Sequence, residues 1–449
     1  MWGEATSGLR PASASPHTSS TMSLTLQLRC RCAHLAVGAP ASAIHHQYAP
    51  RHRLMAALTR MLTGGAAILL LLAFYARWKT LAVTTFDGDE YAFALVARDI
   101  LQGKLPYTGI FDNKPVGLNY LFALAQALGG QTVAAIHALG LVSAALAAAV
   151  IYFSTRRLQM SRAVALGLAA LFATETLHLG GWASMSELVA LPFLCLANYL
   201  TLEQPLRWQS ILARGVAISF GFVAALALAW LPQLLSGDLQ HYLAEQAQYH
   251  GAYRSPFPPL WLWRSNFIEP LSFLSLPTVV ACVLYGIAHR RLRFGRAFWL
   301  LSLQLIGAVL ANCASNRLYI HYLILALPAA ALLPAAMLRT VPLNNSRWLA
   351  LAVLACAAFH QISLLRALPD YLVRPSLEAD AARLIESRTL PNSAIMVFNA
   401  QHTIYYLSHR PAATRFVFQN HYLSTCDGAP AIKSALQVLQ LGLAEKHHC

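Results

Sequence analysis

Residues 132–153 read TVAAIHALGLVSAALAAAVIYF, a stretch without an Asp, Glu, Lys or Arg. A helix needs about 20 such residues to cross roughly 30 Å of hydrocarbon, so this stretch reads as a transmembrane span. Eight more runs of similar character flank it, at 61–78, 163–181, 186–202, 211–235, 271–289, 297–314, 322–338 and 348–365. The composition agrees with them. Hydrophobic residues make up 57% of the 449 and charged ones 11%, against about 25% charged in soluble domains, and mean hydropathy is +0.49. A soluble globule, a disordered chain and a disulfide-stapled secreted domain are excluded. The net charge of +15 does not point to nucleic acid, because the basic residues fall in short clusters between apolar runs. The expected fold is an all-α polytopic membrane protein of about nine transmembrane helices, with a large first outer loop and a small C-terminal α/β outer domain.

Lys and Arg in short loops set the orientation. With the N-terminus inside, the inner segments carry 14 arginines between Arg51 and Arg347, whereas the short outer loops hold Arg317 alone. That places the N-terminus in the cytoplasm and the C-terminus outside, and the Ala/Leu/Arg-heavy usage suits a cell inner membrane. Residues 1–50, rich in Ser, Ala, Pro, Thr and His with Glu4 as their one acid, read as a disordered tail. Residues 51–365 form the membrane domain and 366–449 the outer one. In the latter, 376–388 reads as an amphipathic helix, Ile395–Phe398 as a short strand, and Gln401–Ser408 as a helical turn or two. Cys195, Cys282, Cys313 and Cys356 sit in apolar runs and read as inert core thiols.

The outer loop 79–131 carries most of the chemistry. Of 18 acids in the chain, Asp87, Asp89, Glu90, Asp99 and Asp112 fall in this one loop. Asp89–Gln102 is predicted helical, with Asp87 or Asp89 near its N-cap. At 100° per residue, Asp89 then faces away from Arg98 and Gln102, towards Phe93, Val96 and Ile100. A carboxylate on the apolar side of a membrane-surface helix is costly unless it lines a cavity; the competing reading is a plain helix cap. Farther on, Pro115 opens an apolar helix running from Val116 to about Leu128 and ending at Gly129-Gly130. Lys114 is thereby fixed before a helix N-terminus, a combination suited to an anionic group such as phosphate, or else it snorkels at the interface.

Asp89-Glu90-Tyr91 after the first span, the Gly103-Lys104-Leu105-Pro106-Tyr107 turn, and Phe111-Asp112-Asn113-Lys114-Pro115 leading into an apolar helix resemble the GT-C glycosyltransferases. The similar branch includes protein O-mannosyltransferases, lipid A aminoarabinose transferase and lipopolysaccharide-core galacturonosyltransferases. The resemblance implies a catalytic base at Asp89, with Glu90 beside it and Asp112 lining the site. It also implies a lining role for Glu187, at the outer start of the fourth run, where an interfacial position is the alternative. Asn316-Arg317-Leu318-Tyr319-Ile320-His321-Tyr322 is similar to a stretch that the family carries before a late span. Arg317 and His321 share a face whether that segment is helical or extended, which suits a phosphate; a headgroup anchor is the other reading. Tyr319 lies between them. Glu175, near the outer end of the third run, is expected to hydrogen-bond a neighbouring span. Tyr249, Tyr253, Arg254, Trp261 and Trp263 read chiefly as interfacial anchors.

The reaction these residues imply is inverting transfer of a sugar from a polyprenyl-phosphate donor to a lipid, glycan or protein acceptor. Lys114, Arg317 and His321 would bind the donor phosphate. No cofactor beyond the lipid-linked sugar is required; the clustered acids permit a divalent metal, and no ligand spacing demands one. Membrane lipids are expected partners and nucleic acid is not. The rival function is a transporter or flippase of lipid-linked saccharides, which would place charged or broken segments at mid-membrane.

Overall fold

The computed structural model describes residues 41–84, 87–202, 216, 223–224, 227–252, 258–288, 294–314, 316–339, 346–373, 376–397 and 401–417. Most of the run 211–235, together with Tyr253, Arg254, Phe398 and residues 1–40, lies outside them. The chain divides into two units, Met1–Thr59 and Arg60–Cys449. In the first, the described residues are helical, the opening of α1 (Ala41–Lys79), so helix begins inside the tail expected to be disordered.

The second unit is mostly helical over its described residues. Its elements after α1 are α2 (Asp89–Leu101), α3 (Val116–Gly129), α4 (Val133–Arg157), α5 (Arg162–His178), α6 (Ser186–Thr201), α7 (Ala227–Ser236) and α8 (Leu239–Ala252). They continue with α9 (Glu269–Ala288), α10 (Arg296–Ala314), α11 (Leu327–Leu338), α12 (Ser346–Val373), α13 (Leu377–Arg388) and α14 (Thr403–Leu407). A 3-10 stretch, Ile320–Ala326, leads directly into α11. Among the described residues, five segments are long and apolar enough to cross a membrane: Ala56–Ala82, Val133–Arg157, Arg296–Ala314, Ile320–Leu338 and Arg347–Asp370. A bent pair, Leu260–Ser272 with Leu276–Ala288 at 45°, passes the same test if it forms one span.

The runs 163–181 and 186–202 fold as α5 and α6, of 17 and 16 residues, about 25 Å each at 1.5 Å per residue. Every residue from Leu168 to Leu177 of α5 is buried, because α4, α11 and α12 pack around it. Small residues let these helices approach: Gly140, Ser143, Ala144, Ala147 and Ala148 of α4 are all buried. Side-chain caps start several helices. Thr132 Oγ1 accepts the Ala135 N–H, Ser161 Oγ that of Val164, and Ser376 Oγ that of Ala379.

Helix α2 departs from the surface helix expected of it. Residues 90–99 are buried throughout, with Tyr91, Phe93, Leu95 and Val96 packed against Phe122 of α3, Ile136 of α4 and Tyr405 and Tyr406 of α14. Full burial of each large side chain is worth about 1.5–3 kcal/mol. The expected polar stripe is covered: Arg98 donates to the carbonyls of Tyr405 and Arg410, and Asp99 pairs with Lys104 at 2.7 Å. The described part of the C-terminal segment carries two helices, α13 and α14. Helix α13 matches expectation, but among the described residues no strand forms. Ile395 makes a single parallel bridge to Ala412, through two hydrogen bonds, Ile395 N–H to Pro411 O and Ala413 N–H to Ile395 O. One bridge is too short a ladder for a strand, so the described residues of this part show helix and a single bridge.

Candidate active site

The N-terminus of α2 is set by its own chain. Asp87 Oδ1 accepts the Asp89 N–H at 2.9 Å, and the Gly88 carbonyl accepts the N–H of Tyr91 at 3.0 Å. The 401–402 segment then closes over this turn. His402 Nε2 donates to the Gly88 carbonyl, and a Cβ at Gly88 would stand 2.5 Å from Gln401 Oε1 and 2.9 Å from His402 Cε1. Only glycine fits. Burial lowers His402 to about 4, so the ring stays neutral at physiological pH.

Lys114 is held with similar care. Tyr107, left-handed at φ 68°, donates its hydroxyl to the Lys114 carbonyl at 2.6 Å and accepts from Asn119 Nδ2 at 3.1 Å. Its ring stacks on Tyr242 of α8 at 4.5 Å. Asp112 Oδ1 accepts the Lys114 N–H at 3.3 Å, while Gln246 of α8 donates to the Asp112 carbonyl at 2.7 Å. Arg415 braces the outside of this hairpin with a two-pronged pair to Glu245 at 2.9 and 3.0 Å and a bond to the Tyr107 carbonyl at 2.6 Å.

These supports bring Asp89, Asp112, Lys114 and Glu187 together from three separate stretches of chain. Lys114 Nζ lies 3.8 Å from Glu187 Oε1 and 6.0 Å from the centre of the Tyr322 ring. The fields of Asp87, Lys114, Asp112 and Glu187 all reach Asp89, whose pKa rises to about 7, chiefly from burial and then from Asp87, against the opposing pull of Lys114. Burial pushes Asp112 up to about 6, with Lys114 and the amides of Lys114 and Asn113 pulling the other way. His321 joins the group, since it feels Glu187, Asp87 and Lys114. Tyr319 stacks on its ring at 5.3 Å and 10°, with Tyr322 edge-on at 4.8 Å.

Two expected members stand differently. Arg317 is half-buried two residues before Tyr319, in a segment that is neither helical nor extended: Asn316 and Leu318 are left-handed at φ 53° and 48°. The regular spacing that put Arg317 and His321 on one face therefore does not apply. Glu90 is fully buried and turned away from Asp89, with Oε1 2.9 Å from His137 Nε2 and Oε2 accepting the Ser184 N–H at 2.8 Å. Sequence reading missed Asp87 as a member of the group and Tyr107, Gln246 and His402 as its supports. The acid cluster itself was the available signal for Asp87. None existed for Gln246 or His402, which arrive from distant segments.

Among the described residues no three His, Cys, Asp or Glu side chains stand close enough together to hold a metal ion. Chemically, the arrangement offers a half-buried carboxyl poised near neutrality beside a lysine. No family model, curated protein or solved structure matches the chain.

Proposed function

We propose that this protein is a membrane glycosyltransferase that moves a sugar from a polyprenyl-phosphate donor to an acceptor hydroxyl of a lipid, lipopolysaccharide or protein, with inversion. The observation that carries the reading is Asp89, with a pKa near 7, sharing one site with Lys114, Glu187 and His321. A base tuned near the working pH is partly ionised yet still basic enough to take a proton in the transition state.

In this mechanism the acceptor oxygen attacks the anomeric carbon as Asp89 removes its proton. The bond from that carbon to the phosphate oxygen breaks, and its electron pair leaves with the polyprenyl phosphate. That group is a stable anion, so no strong general acid is needed. Lys114 and His321, with Arg317 from the same outer segment, meet the charge as it develops, as preorganised cations and donors do. Lys114 leans on Glu187 at 3.8 Å, a contact long enough for a phosphate to replace.

The membrane arrangement that goes with this reading has nine crossings, a cytoplasmic N-terminus and an inner-membrane location. A contact supports the parity of that count. Residues of α14 touch α2, so both lie on one side, and an even number of crossings must separate them. The eight runs from 132–153 to 348–365 satisfy this. The transporter reading draws instead on the buried pair Glu175–His360 between α5 and α12. Membranes given a labelled polyprenyl-phosphate sugar decide between them: covalent transfer supports the enzyme, and lipid movement without bond formation supports the transporter. Asp89→Asn is expected to slow transfer by about 10²–10⁴; transfer at full rate removes Asp89 from the base role.

A further inference from the structure

Asp89 and Glu90 are neighbours on one helix, and their side chains leave it about 100° apart. Both cannot face the same reacting atom, and Glu90 faces the bundle. Its two oxygens join three elements: His137 of α4, Ser184 in the turn before α6, and, through His137, the carbonyl of Thr80 at the end of the first span, 3.1 Å from Nδ1. A carbonyl only accepts, so His137 Nδ1 carries a hydrogen. The Nε2–Oε1 contact at 2.9 Å then needs one further proton, shared between imidazole and carboxyl, which leaves the pair neutral as a whole. Ser184 is itself fixed, donating to the Ile136 carbonyl at 2.7 Å and seated where a Cβ on Gly140 would come within 2.7 Å of its Oγ.

We infer that Glu90 and His137 are positioning residues: they fix the rotation and depth of α2 and so aim the adjacent Asp89 carboxyl at Lys114, and Glu90 takes no part in proton transfer. The inference rests on the transferase reading for its kinetic test and stands apart from it in a second one. Gln at position 90 can keep every bond, its amide N–H₂ donating to a neutral His137 Nε2 and its oxygen accepting from Ser184. Ala at 90 removes both of these bonds, and Leu at 137 removes the tie to α4 and to the Thr80 carbonyl while leaving the bond to Ser184.

Membranes carrying the full chain are assayed with tritiated polyprenyl-phosphate hexoses. Glu90→Ala and His137→Leu are expected to lower kcat by about 10²-fold, the scale of a 1 Å misplacement, with the donor KM unchanged. Glu90→Gln is expected to restore kcat to within about threefold, since its hydrogen bonds survive. If Glu90→Gln instead loses about 10²–10⁴, as removal of an acid or base does, or if His137→Leu keeps the normal kcat, the inference is overturned. Absence of any sugar transfer by the unaltered chain would overturn the transferase reading alone. The second test needs no transfer. In a chain stripped of its native cysteines, Asp89→Cys is labelled with a membrane-impermeant maleimide. The labelling rate is expected to change when His137→Leu is added and to stay the same with Glu90→Gln; an unchanged rate with His137→Leu overturns the positioning role while leaving the transferase standing.

Discussion

The start of α2 and the α5–α12 interface both bury carboxyl groups, and they treat them in opposite ways. At the interface Glu175 pairs with His360, His178 Nε2 donates to the His360 carbonyl at 2.9 Å, and the Thr174 hydroxyl sits 2.9 Å from Gln361 Oε1. Acid meets base and donor meets acceptor. At α2 Asp89 feels three other carboxyls, Asp87, Asp112 and Glu187, against the single cation Lys114, and Asp89 and Asp112 are pushed up to about 7 and about 6. Such crowding destabilises a fold, and it leaves groups ready to exchange a proton or accept a foreign anion. The lesson is that balanced charge locks helices together, whereas unbalanced charge marks where a substrate completes the set.

Breaking the balanced region should have the largest effect on stability. His360→Leu strands Glu175 and should cost about 3–5 kcal/mol, seen as a lower unfolding temperature in detergent. The double change Glu175→Leu with His360→Leu should recover most of it, and transfer per folded molecule should be normal in both. A loss of transfer out of proportion to folding would place the interface in the reaction and erase the contrast.

The unbalanced region should respond the other way round. Lys114→Met should lower transfer by about 10²–10³, the usual loss when one preorganised charge is withdrawn, while the unfolding temperature falls less than in His360→Leu, because the raised carboxyls left without their cation can take up protons. The smallest effect sharpens the electrostatics. Because folding raises Asp89 to about 7, its basic form exists above that pH and is lost below it, so the acid limb of kcat/KM should fall near pH 7 rather than near 4. Asp87 is the strongest charge holding Asp89 up, and an amide at 87 can still cap the helix. Asp87→Asn should therefore move the limb to lower pH; a shift upward would contradict the assignment.

Much of this was legible in the chain before folding. The bounds of α2 and α3 follow from Asp87, Gly103, Pro115 and Gly129-Gly130, local signals that act within a turn or two. The gathering of Asp89, Asp112, Lys114, Glu187 and His321 was readable because each sits at an end of an apolar run or in the first loop. The direction of Glu90 was not, since an adjacent pair of acids looks alike on paper and the partner that turns one inward, His137, lies within a run that otherwise reads as plain span. The cover over Arg98 was equally hidden: it comes from Tyr405 and Arg410, and no local pattern announces a contact across some 300 residues. The lengths of α5 and α6 escaped for a related reason, because apolarity reports burial without saying whether lipid or protein provides it.

The strap formed by residues 401–417 has a consequence for how the molecule comes into being. The Phe111 N–H donates to the Arg415 carbonyl at 2.7 Å, Arg415 grips Glu245, and His402 holds the Gly88 carbonyl. Residues 87–115 thus wait for a segment translated much later before their shape is complete. A nascent chain still threading its middle helices has an open, unbraced loop, so the cluster around Asp89 is assembled only after residues 401–417 have emerged.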